Sequence, residues 1–69
     1  MKKLMTLADI KARIKAIKAC AHDAEKAHGM EDDLYRDVLE AIANDCLAPI
    51  VFAKEVLKAG KIDFARWGA

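Results

Sequence analysis

From Leu7 to His28 the chain carries neither Gly nor Pro, and Ile10, Ile14, Ile17, Ala21, Ala24 and His28 recur at helical spacing. At about 100° per residue those positions share one face, so the segment reads as a long amphipathic helix. Thr6 followed by Asp9 supplies an N-cap with an acidic third position, and Gly29 suits the position just past the C-terminus. Two further stripes run along the same helix. Lys11, Lys15, Lys18 and His22 lie beside the isoleucines, while Ala8, Ala12, Ala16 and Ala19 lie nearly opposite them. The isoleucines read as core. The lysines read as a solvated flank or, on a sharper view, as phosphate ligands. The alanines read as a surface filled with a good helix former or as the close contact of a homodimer.

A second helix is expected over residues 32–44, with Leu34, Tyr35, Val38, Leu39, Ile42 and Cys46 as its apolar face. "NDCLAP" then punctuates the chain. Asp45 or Ala48 can cap a third helix, Pro49 fits its first turn, and Ile50, Val51, Phe52, Val56 and Leu57 precede a stop at Gly60. The tail "KIDFARWGA" holds Ile62, Phe64 and Trp67. Three large apolar groups so close together should fold back on the helices, in a short turn capped by Asp63. No strand-like alternation is present. With only 3 Gly and 1 Pro, and abundant Ala, local propensity also favours helices. The expected fold is all-α: one domain over residues 1–69, a small three-helix bundle with a short C-terminal apolar tail or helical turn. A chain this short buries a smaller fraction of its surface than a larger domain does, which leaves room for a dimer.

The net charge of +1 conceals a strong segregation. Residues 1–18 hold six basic residues against one acid, residues 19–45 two against eight, and residues 46–69 four against two. Such asymmetry marks either a polar binding surface or one helix lying against another of opposite charge. Cys20 and Cys46 form no CxxC pair or metal-ligand array. Asp9 cuts the N-terminal apolar run short of a signal-peptide core, and no run is long enough to span a membrane. A reduced, cytoplasmic protein without a membrane partner is expected.

The stretch "HGMEDDLYRD" is dense in carboxylates but matches no ligand geometry. A calcium loop needs oxygen ligands at alternating positions around a central Gly; here the acids are contiguous, the Gly precedes them, and Leu34 sits where a ligand belongs. His22, Glu25 and His28 lack HExxH spacing, so no metal or other cofactor is expected. Two carboxylates acting as acid and base need a desolvated pocket that three short helices seldom build. No Ser/His/Asp or Cys/His order and no phosphate-cradling loop is present, and no enzyme is expected. Glu31, Asp32 and Asp33 instead suit the start of a helix, Arg36 and Glu40 extend them into surface ion pairs, and His28 suits a helix C-terminus. Tyr35 would bury its ring and leave its hydroxyl at the edge.

"AHDAEKAHGMEDDLYRDVLE" resembles the segment that opens the GemA-like regulatory proteins of Mu-like bacteriophages. The matching positions are His22, Ala24, Met30, Asp32, Asp33, Tyr35, Arg36 and Leu39, in register without a gap, over roughly a quarter of the chain. Glu25 stands where the family usually has a basic residue, and "ANDCLAP" stands in place of a Gly-Lys-x-Ser stretch. The resemblance implies a small phage or prophage regulator or inhibitor, non-enzymatic, that binds a host protein in the host cytoplasm. The surface expected to bind is Asp32, Asp33, Tyr35 and Arg36 with Phe64 and Trp67 of the tail, although Trp67 reads more readily as a residue that closes the core. The alternative is a nucleic-acid-binding regulator that uses Lys2, Lys3, Lys11, Arg13, Lys15 and Lys18, against which stands the absence of any recognisable recognition helix.

Overall fold

The computed structural model describes residues 5–44 and 48–66. They form three α-helices, α1 (Leu7–Ala19), α2 (Ala24–Ala43) and α3 (Pro49–Val56), and a 3₁₀ turn at Leu57–Lys61, with no strand among the described residues. Each helix packs against the other two. The architecture is the expected small all-α bundle.

The first boundary differs from the expectation. α1 begins as anticipated: the Asp9 N–H donates to Thr6 Oγ1 at 3.2 Å and the Thr6 N–H to Asp9 Oδ2 at 2.9 Å, a reciprocal capping box. It ends at Ala19 rather than near His28. The Cys20 N–H closes the last turn on Ala16 O and Ile17 O, and the Asp23 N–H donates to Cys20 O at 2.9 Å. Asp23 then caps α2, its carboxylate accepting the Lys26 N–H at 3.2 Å. Gly29, expected to end helix one, lies inside α2, and so do the acids expected to start helix two. His28 sits mid-helix beside Asp32, at 3.4 Å, not at a C-terminus. Energetics explain the outcome. A helix-interior glycine costs about 1 kcal/mol relative to alanine, an amount comparable to what one Asp N-cap supplies. Tertiary burial therefore decides, and a turn at residues 20–23 folds the isoleucine face of α1 onto α2.

The core consists of Ile10, Ile14 and Ile17 from α1, Ala27, Leu34 and Val38 from α2, Phe52 and Val56 from α3, and Ala59 and Ile62 beyond it. Met5, Leu7, Cys20, Ala21, Met30, Tyr35, Ile42 and Phe64 pack around this centre, half-buried. Leu39, expected on the apolar face of its helix, is 65% exposed. It lies one residue, about 100°, past Val38, which takes the inward position. Ile50, Val51 and Leu57 are likewise exposed, because Phe52 and Val56 hold the inward side of α3. The alanine stripe Ala8, Ala12, Ala16 and Ala19 is exposed, as are Lys11, Lys15 and Lys18.

Ala48 precedes α3 without a side-chain cap and Pro49 occupies its first turn, while Asp45 and Cys46 lie outside the described residues. Gly60 does not stop the helix. The α form ends at Val56 and the winding tightens to 3₁₀ through Lys61. Beyond it the chain is extended at Ile62, and the described residues after Asp63 form no helical turn, yet Ile62 is buried and Phe64 half-buried, so the tail does fold back. Trp67 lies outside the described residues. No helix among the described residues is long and apolar enough to cross a membrane.

The two glycines among the described residues, Gly29 and Gly60, should respond differently to alanine. A Cβ at Gly29 meets nothing within 4 Å, whereas one at Gly60 comes 3.2 Å from the Tyr35 hydroxyl. Gly29→Ala is expected to stabilise the fold by about 1 kcal/mol, seen as a rise of roughly 4–8 °C in Tm. Gly60→Ala should gain clearly less or lose stability, and equal gains in thermal unfolding would contradict the packing described here.

Candidate functional site

Ala27, Glu31, Leu34 and Val38 follow one another at i, i+4, i+7 and i+11, so the core-facing row of α2 contains a carboxylate. Glu31 is only 4% exposed. Its partner comes from the tail. Arg66 donates from Nε to Glu31 Oε1 at 3.1 Å and from Nη2 to Oε2 at 2.9 Å, a two-pronged ion pair between residues 35 positions apart. The same guanidinium donates to the carbonyls of Ile62 (2.9 Å), Ala59 (3.3 Å) and Phe64 (3.4 Å). It lies 3.9 Å above the centre of the Phe64 ring. Arg66 therefore neutralises the buried acid, donates to backbone carbonyls around the end of the 3₁₀ turn, and stacks on an aromatic face in one placement.

Tyr35 completes the cluster, half-buried beside Glu31 one turn along α2. Burial, and then the negative charge of Glu31, raise the phenol's pKa above its ordinary value; the Arg66 charge opposes this and hydrogen bonding to Glu31 adds to the rise. The Arg66 pKa is raised in turn, chiefly by its hydrogen bonds to Glu31, against the cost of desolvation. With these donors and acceptors engaged by one another, the cluster acts as a clamp.

The residues read from the sequence as a binding surface thus divide in two. Tyr35 and Phe64 belong to the clamp. Asp32, Asp33 and Arg36 remain exposed on the outward side of α2. There Asp33 Oδ1 accepts from Arg36 Nη2 at 3.3 Å, and Arg36 Nε lies 3.7 Å from Asp37. Asp32, Arg36 and Leu39 fall at i, i+4 and i+7, which places an exposed apolar side chain in line with exposed charges. Among the alternative nucleic-acid ligands, Arg13 is diverted: Nη1 donates to Asp37 Oδ2 at 2.7 Å and ties α1 to α2. Lys11, Lys15 and Lys18 enter no ion pair among the described residues, and Lys2 and Lys3 lie outside them. Neither Arg66 nor the burial of Glu31 was singled out from the sequence. The spacing of Glu31 from Ala27, Leu34 and Val38 was the available signal.

No protein-family model matches the chain, and no curated protein or solved structure matches it either. Among the described residues no group of three or more His, Cys, Asp or Glu side chains is arranged to hold a metal ion.

Two outcomes test the clamp. Arg66→Met leaves a buried carboxylate without its cation, whereas Glu31→Gln leaves a guanidinium that can reach water, so Arg66→Met should lower the denaturant midpoint more at neutral pH. The reverse order would contradict the arrangement. The second concerns pH. Because the folded pKa of Tyr35 is raised, its contribution is complete below the ordinary value of about 10 and is lost as pH rises through the higher folded value. Denaturation at about pH 8 and about pH 11 should show a larger loss for the native chain than for Tyr35→Phe.

Proposed function

We propose that this chain is a small non-enzymatic regulator or inhibitor of phage type that acts by binding a host protein through the outward face of α2. The observation that supports this reading is Leu39, 65% exposed in line with Asp32 and Arg36. An exposed aliphatic side chain in line with exposed charges has the make-up of an interface anchor with a polar edge. Arg36 is itself exposed and pairs with the exposed Asp33 and, at 3.7 Å, with the partly exposed Asp37, pairs that contribute little to folding and can be exchanged for a partner's groups at small cost. The resemblance of residues 22–39 to GemA-like regulators points the same way. Tyr35 and Phe64 enter this reading as supports, since they hold the clamp that fixes the α2 face.

A second reading keeps one specific observation in its favour. Lys11, Lys15 and Lys18 stand exposed along one line of α1, as a phosphate-binding ridge would.

The two readings separate cleanly. Tagged protein passed over a host lysate should enrich one host protein, and Arg36→Ala or Leu39→Ser should abolish that enrichment while leaving the helical circular-dichroism signal intact. Enrichment unchanged in both variants counts against the α2 face. Binding to duplex or single-stranded DNA or to RNA at low salt, weakened by added salt and by Lys15→Glu, would support the second reading instead.

A further inference from the structure

Among the described residues, three of the four large exposed aliphatic side chains, Ile50, Val51 and Leu57, lie within eight consecutive residues on α3 and the start of its 3₁₀ extension. Ile50, Lys54 and Leu57 fall at i, i+4 and i+7 from the start of α3, while Lys58 and Lys61, one 3₁₀ turn apart, line up beside them, and all five are exposed. The face thus carries two large aliphatics with one lysine between them and two along their flank. One acid lies within Pro49–Lys61, Glu55, and it is half-buried and engaged with Lys58 at 3.1 Å. Lys54 and Lys61 form no ion pair among the described residues. We propose that this face docks an amphipathic helix of a partner protein, one that presents leucine-like side chains on its contact stripe and carboxylates along its flanks.

Charge selects this occupant over the others. Two copies of the chain paired symmetrically through α3 would bring Lys54, Lys58 and Lys61 against their own kind. The acidic residues of the same chain, Asp32, Asp33 and Glu40, lie on a different helix, so they do not relieve that repulsion in an α3-on-α3 pair. A nucleic-acid strand would meet the lysines but leave Ile50 and Leu57 in water. An acidic amphipathic helix covers the aliphatics and pairs the lysines together, in helix-on-helix packing. The inference does not depend on the α2 reading, because no residue is shared.

The probe is a fluorescein-labelled helical peptide of designed sequence with Leu at i, i+3, i+4 and i+7 and Glu on the flanks, compared with its counterpart in which every Glu is Lys. Anisotropy should show the acidic peptide binding, weakened by salt, and the basic one not binding. Ile50→Asp, which adds an acid where a helix start favours it, and Leu57→Gln should each weaken binding about tenfold. Lys54→Glu with Lys61→Glu should reverse the preference, and Leu39→Ser should change nothing. Helical circular dichroism confirms that each variant is folded. Equal binding of the two peptides, no binding of either, or indifference to Ile50→Asp and Leu57→Gln overturns the proposal. So does self-association in sedimentation that Ile50→Asp abolishes, since the occupant would then be a second copy.

Discussion

Glu31 stands in the core-facing row of α2, where a carboxylate without a partner would be severely destabilising. The position can be occupied only if a cation is delivered to it, and the tail delivers Arg66. The consequences spread outward. Arg66 can reach Glu31 only if the chain turns back after Lys61, and its bonds to the carbonyls of Ala59, Ile62 and Phe64 hold that return. The return places Ile62 in the core and Phe64 beneath the guanidinium. It also brings Gly60 so close to the Tyr35 hydroxyl that a larger residue would be crowded. A short α3 with no side-chain cap is thereby anchored at its far end by an interaction with α2.

A second electrostatic joint explains the segregation of charge along the chain. The basic α1 lies against the acidic α2, and Arg13 reaches Asp37 across that boundary. Both side chains are about one-third exposed, so the pair adds at most about 1 kcal/mol. Its value lies in discrimination. A register that moved Arg13 away from Asp37 would also turn Ile10, Ile14 and Ile17 from the core, so charge and burial favour the same alignment.

Much of this was legible in the sequence, and the misreadings share a cause. The isoleucine stripe, the Thr6 cap, Pro49 in a first turn and the folded-back tail all follow from local chemistry. The α1–α2 turn was hidden because Ala21 and Ala24 continue the helical spacing through it, and because Gly29 is a stronger punctuation mark than Asp23. An Asp can cap a helix or merely decorate one, and only the packing of Ile10, Ile14 and Ile17 on Leu34 and Val38 distinguishes the two. Leu39 was misplaced for a related reason: hydrophobicity does not say which of two adjacent apolar residues faces inward. On the candidate surface, exposure of Asp32, Asp33 and Arg36 agrees with their composition. The division that puts Tyr35 and Phe64 in a clamp depends on a contact 35 residues apart, which no local window contains.

The outward aliphatics of α3 follow from helix geometry. Ile50 and Phe52 are two residues, about 200°, apart, so no rotation of α3 buries both. Phe52 carries the larger apolar surface and, with Val56 one turn on, takes the inward side. Ile50 and Leu57, seven residues apart, are then carried together to the opposite side. Isolated exposed aliphatics are common on any surface, but two in line, with one lysine between them and two along their flank, form a ridge with a second amphipathic character. α3 is therefore apolar on both sides. Its inner side is covered by α1 and α2, and its outer side carries Ile50 and Leu57 with Lys54 between them.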